Sequence, residues 1–474
     1  MYGDFSRLTF APDKHFSAVL SQQGRVTLDS DVNEQALLVQ HFLRTLAADV
    51  IGPHGGPEKS FAIKLEMAGN TIKNLTIAPG RYYVHGIPCE NDAVDVTGKP
   101  VPATYLYQPD LLPDPPGELL ASPFLVYLRV HERLVTSVED PSTREIALGD
   151  TGPDTAARSR IVWQVLVTDK TPGTDYKLDA NLTRDAIHKA WLDWETSLSG
   201  GTGRLRAQAM SVTDTDPCIS APDARYRGLD NQLYRVEVHT GDTAGTAAQP
   251  GTATFKWSRE NGSVVFPIVT FGTADADVGV EVTVASLGRD DTLGLDVGDW
   301  VEVVDDDSVR RGKPEPLRRV AAIDPLDLVV TLEPLGSGAQ STATGQNPLL
   351  HPLLRRWDQQ EGSPARGGAV RSEADNALRI VETINGKDNW LDLEDGIQIQ
   401  FGAGGRYERG DYWLIPARTA IGDVEWPRDT DGHPIPKPPV GITYYAAPLA
   451  LVRFDADKMP EAVDLRRTIT PLAK

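Results

Sequence analysis

The spacing of hydrophobic positions changes once along this chain, and the change divides it. Up to residue 51 the apolar side chains fall at helical intervals: Leu38, Phe42, Leu46 and Val50 recur every four residues, and Leu37 and Leu43 widen the row. This pattern predicts a helix over residues 32–51. Asp31 stands at its cap with Glu34 three residues on, the capping-box register, and Gly52-Pro53 stops it. Such a helix is a rod of roughly 30 Å. Its apolar row has two readings, the core of a first domain or a face laid against another subunit. Ahead of it run the apolar anchors Phe5 and Phe10 and a turn at Gln22-Gln23-Gly24-Arg25, so the chain opens with an arm and a helix.

Beyond residue 60 the period shortens to two, and short apolar runs alternate with turn clusters. Residues 75–77 and 81–84 read as strands joined at Pro79-Gly80, with a second turn at His85-Gly86. Residues 124–130 and 160–168 read as core strands of a first sandwich, with a long loop over 139–158 for contact with a neighbour or for covering the sandwich. A second helix begins at Thr183 or Asp185 and sets Ile187, Trp191, Trp194 and Leu198 on one core-facing stripe, and 199–203 is a glycine-rich hinge. Residues 232–239 alternate, with Leu233, Arg235, Glu237 and His239 on one side and Tyr234, Val236 and Val238 on the other. Residues 252–258 pair with them, Phe255 and Trp257 inward, and the tight turn Glu260-Asn261-Gly262-Ser263 returns the chain as a strand over 264–271. Residues 295–306 resemble a segment of an SH3-like or OB-like barrel, closed by 318–323 and 328–332. Strands over 390–401, 411–415 and 446–454 complete the chain, with 434–439 a stiff proline-rich loop.

The expected fold is therefore mainly β and multidomain, an N-terminal arm plus helix followed by β-sandwich and small β-barrel modules. Its divisions are a docking arm and helix at 1–52, a β-sandwich at 53–170, a helical linker and hinge at 171–224, a barrel-like module at 225–346 and a β-rich module at 347–474.

Composition narrows the function. At 474 residues the chain exceeds one ordinary core, and 40% hydrophobic with 24% charged residues is a globular balance. A formal net charge of −20 argues against general nucleic-acid binding, which needs Lys and Arg to neutralise phosphates. No apolar run reaches membrane-spanning length, and residues near Asp4 and Arg7 form no signal-peptide core. The expectation is synthesis in the cytoplasm, no membrane insertion, and release, if any, by lysis. Cys89 and Cys218 are too few and too far apart for a disulfide framework and read as buried free thiols.

The search for chemistry returns little. The nine histidines show no zinc spacing, and Gly-x-Ser-x-Gly is absent. Asp305-Asp306-Asp307 lacks the alternating ligands of a calcium loop and reads as a solvated turn, while Gly402-Ala403-Gly404-Gly405-Arg406 reads as a hairpin loop. No catalytic residue, cofactor or metal is expected. The rival is a glycan hydrolase that pairs Glu302 with Asp305 or Asp306, or uses Glu260 near Trp257 and Trp300. A noncatalytic surface-binding module would use the same aromatics.

Several motifs carry a family resemblance over nearly the whole chain. Gly3-Asp4-Phe5-Ser6-Arg7, Gln22-Gln23-Gly24-Arg25-Val26, Asp29-Ser30-Asp31-Val32-Asn33-Glu34-Gln35, Glu145-Ile146-Ala147-Leu148-Gly149, Phe255-Lys256-Trp257-Ser258-Arg259-Glu260-Asn261-Gly262-Ser263 and Gly410-Asp411-Tyr412-Trp413-Leu414-Ile415-Pro416 are the clearest. Together they resemble an uncharacterised family encoded among the genes of extracellular contractile injection systems, the phage-tail-like particles of bacteria. Val32 departs from the pattern, which has Trp there. The resemblance implies a structural, nonenzymatic subunit at a baseplate, spike cage or fibre attachment. Its partners would be other subunits of the particle and copies of itself in cyclic symmetry. Phe5, Arg7, Phe10, Gln22, Gln23, Arg25, Asp29, Asp31, Asn33 and Glu34 are the candidate assembly contacts.

Overall fold

The computed structural model describes residues 1–95, 97–111, 123–149, 154–198, 201–210, 225–243, 251–273, 278–336, 343–362, 368–384, 387–388, 390–455, 457 and 459–470. Cys218, loop residues 150–153 and hinge residues 199–200 lie outside this set. The fold is mainly β, with several sheets, a closed six-stranded barrel and a long N-terminal helix. No helix among the described residues is long and apolar enough to cross a membrane.

The chain forms two compact units, each assembled from separated stretches. The first takes Met1–Leu8, Leu134–Arg158 and Gly201–Ile442, and the second Thr9–Arg133, Ser159–Gly200 and Thr443–Lys474.

In the second unit, four strands lie in the order Pro460–Asp464, Tyr445–Phe454, Phe124–Val135, Arg158–Thr168, the first three of them antiparallel. The central pair joins residues far apart in sequence, Val126 opposite Ala450 and Phe124 opposite Val452. One face packs with Phe61, Leu75, Tyr82 and Trp163 into a core that also holds the buried thiol Cys89. The other receives helix α2 (Arg184–Leu198), whose Ile187 and Trp191 pack against Leu125, Tyr127 and Leu451. Thr183 Oγ1 accepts from the Ala186 amide at 3.2 Å at the start of this helix, as its sequence suggests.

Helix α1 (Asp29–Ile51) begins three residues earlier than its pattern predicts. Leu28 is its N-cap and makes no side-chain cap bond, so the capping box does not form. Asp31 sits in the first turn, and Glu34 instead accepts from the hydroxyl of Thr9. The helix docks through Leu38 and through a paired Arg44–Glu132 ion bridge with two contacts of 2.8 Å.

The first unit contains a sandwich and the barrel. A sheet in the order Leu378–Arg379, Thr254–Ser258, Gln232–Thr240, Tyr412–Arg418, Asp423–Val424 shares a core with a smaller one in the order Leu391–Asp392, Ile397–Phe401, Leu205–Ala209. Tyr234, Val236, Val238, Phe255, Trp257 and Trp413 fill that core. The barrel closes through Val265–Phe271, Val280–Val284, Val329–Leu332, Arg318–Asp324, Trp300–Val304 and Leu353–Trp357.

Three local expectations change here. The turn at Asn261-Gly262 forms, with the Ser263 amide donating to Glu260 O at 2.9 Å. It does not fold the chain back, because Val265–Phe271 leaves the sheet and pairs inside the barrel. Asp305 is no solvated turn residue: it caps a short helix over Asp306–Arg311, accepting from Ser308 N at 2.8 Å and, through its other oxygen, from Gly345 N at 2.8 Å. The 402–406 loop is not a hairpin, since Ile397–Phe401 pairs with Leu205–Ala209 and Arg406–Tyr407 with Asp242–Thr243. Its Gly404 and Gly405 amides hold the Glu382 carboxylate, at 2.9 and 3.1 Å.

Candidate functional site

The strand Gln232–Thr240 has neighbours on both edges and an apolar face in the sandwich core. Alternation of this kind usually leaves the opposite face in water. Here that face is buried too, and it carries Arg235, Glu237 and His239. Burying charges is costly unless they are paired and hydrogen-bonded, and each carboxylate in this group has such partners. Arg235 Nε donates to Glu237 Oε2 at 2.6 Å, and Lys256 Nζ lies 3.5 Å from Glu237 Oε1. Lys256 Nζ also donates to Glu302 Oε2 at 2.6 Å, and the Trp357 indole donates to the same oxygen at 3.0 Å.

The N-terminal residues complete this cluster. Tyr2 donates its hydroxyl proton to Glu237 Oε1 at 2.6 Å, and the guanidinium groups of Arg235 and Arg355 lie over its ring at 4.1 and 3.6 Å. Asn261 Nδ2 donates to the carbonyls of Met1 and Gly3 at 3.2 and 2.9 Å. Burial pushes the Glu237 carboxyl up, but Arg235, Lys256 and the Tyr2 hydroxyl outweigh it and hold it at about 2. Glu302 is likewise held low by Lys256 against its burial. Both carboxylates are fixed anions bound to fixed cations, an arrangement that anchors a segment and does not pass protons.

This geometry bears on the acids proposed for glycan cleavage. Glu302 is locked to Lys256, Asp305 is a helix cap, and Asp306 accepts from His351 at 2.9 Å. Trp257 is in the sandwich core. Glu260 is half-buried, and burial together with the carboxylates of Asp4 and Asp358 raises it to about 7. Trp300 of that set lines a cleft of about 1700 Å³ within the first unit. His239, Arg318, Gln359 and Arg371 line the same cleft, with the Arg371 guanidinium 5.5 Å from the Trp300 ring centroid. Both ring nitrogens of His239 and Oε1 of Gln359 have no partner among the described residues. Polar walls around an aromatic plate suit a hydroxyl-rich or peptide ligand.

The proposed assembly residues divide between the two units. In the first, Phe5 packs against Leu233, Tyr412 and Leu414, and Arg7 pairs with Glu425 at 3.3 Å. In the second, the Phe10 ring lies 5.8 Å from that of His41, and the Val19 amide donates to Gln35 at 2.8 Å, so part of the arm runs along α1. Gln22, Gln23 and Arg25 form the expected turn, Arg25 N to Gln22 O at 3.3 Å, and all three are exposed. Asp29 is exposed, while Asp31, Asn33 and Glu34 are half-buried.

The apolar row of α1 does not stay on one side. Four-residue steps advance about 40° beyond a full turn, so the row from 38 to 50 winds about 120° around the helix. Leu38 is buried, whereas Phe42, Leu43, Leu46 and Val50 are all more than half exposed. The sequence therefore reads as one stripe what the fold uses as two faces.

Among the described residues, Asp429, Asp431 and His433 are close enough to share a cation. All are exposed, and Asp429 accepts from the Asp431 and His433 amides as an ordinary turn residue does. A family model described as a family of unknown function (DUF6519) matches residues 1–195 and 198–452. No curated protein and no solved structure matches the chain.

Proposed function

The chain belongs to the DUF6519 family, and from that premise we propose that it is a structural subunit of a phage-tail-like contractile injection particle, at the baseplate, spike cage or fibre attachment. The observation that carries this reading is the exposed apolar face of α1, and the arm before it also exposes Phe16, Leu20 and Val26. Scattered single apolar residues on a surface are ordinary, but a contiguous patch marks a contact with another macromolecule. The motif resemblance supplies the kind of assembly, and many such modest contacts hold a particle together by multivalency. Copies of the chain and other particle subunits are the partners, and its role is mechanical.

The test is to purify particles from a producing strain and from one lacking this gene, then compare their images and subunit composition. Loss of a discrete density, or failed assembly, is the expected result. Complete particles of unchanged composition, with this chain absent from the wild-type particle, would overturn the reading.

A second reading has its own observation, the Trp300 cleft, in which the His239 ring nitrogens and Gln359 Oε1 have no partner among the described residues. It makes the chain an accessory that binds a glycan or another cell-surface ligand. Retention of a glycan by the wild type and its loss in Trp300→Ala, with folding intact, would favour it.

A further inference from the structure

We propose that the solvent-facing side of α1 pairs with the same helix of a second copy of this chain, as a short antiparallel coiled coil. The inference rests on the assembly reading and names the partner of that face. Val32, Ala36, Val39, Leu43, Leu46 and Val50 follow one another at steps of four, three, four, three and four. This is a 3.5-residue repeat with apolar side chains at every a and d position, and its counterpart is another helix of the same period. All six residues are exposed, the five larger ones between 48% and 77%. Ser30, Leu38 and Arg44, by which the helix is held to its own unit, lie on the opposite side.

Three features select a second copy. The positions flanking the seam, Asn33, Gln40, Ala47, Gln35, Phe42 and Asp49, carry a single charge, so two identical seams meet with little like-charge repulsion. In the antiparallel register that centres on residue 41, Val32 lies opposite Val50, Leu43 opposite Val39, and the small Ala36 opposite the large Leu46. A parallel pair would set Ala36 against Ala36, opening a gap in the seam, and would align the helix dipoles side by side. The third feature is area. With Phe42 the seam is a row of half-exposed or more apolar side chains along about five helical turns. The exposed Phe16, Leu20 and Val26 of the arm add apolar surface toward the ~800 Å² per partner of a specific interface. The helix is already ordered by its own unit, so pairing does not have to meet the cost of forming it.

The experiment is sedimentation analysis of the full chain from micromolar to tens of micromolar concentration, beside Leu43→Glu/Leu46→Glu. The wild type is expected to dimerise. The variant, with carboxylates forced into an apolar seam, is expected to raise the dimer Kd by about a hundredfold or more with an unchanged circular dichroism spectrum. In a Cys218→Ser background, mixed Val32→Cys and Val50→Cys chains are expected to cross-link under mild oxidation, and neither chain alone. A monomeric wild type, or a dimer indifferent to the double substitution, overturns the pairing. Cross-linking of either single-cysteine chain with itself overturns the antiparallel register. If the wild type is monomeric but the double variant drops out of purified particles, the seam docks a different subunit. The pairing then fails while the assembly reading stands.

Discussion

At the scale of single residues, Glu237 is the most consequential side chain in the first unit. It accepts from Arg235 and Tyr2, faces Lys256, and is almost fully buried. Removing one member of a buried ion cluster costs about 3–5 kcal/mol, because its partners stay behind uncompensated. Glu237→Gln is therefore expected to lower unfolding free energy by about that much at pH 7, measured by urea denaturation. The folded carboxyl is held at about 2, below its unfolded value near 4.5, so its stabilisation is complete above pH 4.5 and is lost as pH falls toward 2. The gap between wild type and Glu237→Gln should narrow across that window. A gap independent of pH would show that the mutation acts through packing alone. Little of this cluster was visible in the sequence. A charge every second residue beside Tyr234, Val236 and Val238 looks like a wet face, and the partners that bury it come from residues 2, 256, 302 and 357. The lone Lys256 between Phe255 and Trp257, and the lone Glu302 between Val301 and Val303, were the available hints.

At the scale of elements, the hairpin at His85-Gly86 sets the seat of α1. Both residues have positive φ, 47° and 76°, which is the two-residue turn that matches strand twist. A Cβ on Gly86 would run into the backbone carbonyl of Arg44 in α1. Gly86→Ala combines backbone strain with that clash and is expected to cost about 2–4 kcal/mol and to speed tryptic cleavage at Arg44. Gly69→Ala, also at positive φ but facing open space, is the control and should cost about 1 kcal/mol with no effect on that cleavage. Equal effects would show that the turn does not seat the helix. Elements of this kind were legible in part: the turn at His85-Gly86, the buried stripe of α2 and the barrel strands Trp300–Val304, Arg318–Asp324 and Val329–Leu332 follow from local pattern. The barrel strands Val280–Val284 and Leu353–Trp357 went unread, and the latter falls outside the 225–346 module expected to hold the barrel. The pairing of strands was not legible, because the turn at Asn261-Gly262 looks the same whether the next strand returns or leaves for a barrel.

At the scale of the whole molecule, the governing fact is that neither unit is a continuous stretch of chain. The strand Tyr445–Phe454 lies between Pro460–Asp464 and Phe124–Val135, in the middle of its sheet. Ending the chain after residue 442 removes two of four strands and bares the apolar side chains of Phe124, Val126 and Leu128. Such a chain is expected to lose protease resistance over residues 124–168 while the tryptophans of the sandwich core stay protected. A wild-type cleavage pattern would mean that the sheet does not depend on its last strands. The same interleaving sets an order in time. Val126 waits for Ala450, about 320 residues downstream, which at ~5–20 residues per second is roughly 16–65 s of synthesis. Throughout that interval the ribosome holds an apolar strand that has its neighbour Arg158–Thr168 on one edge only, while most of the intervening unit has already emerged. The late-arriving strand must then find an open sheet edge before another nascent chain does, so yield in the cell should depend on elongation rate and chaperone supply more than on the stability of the finished protein.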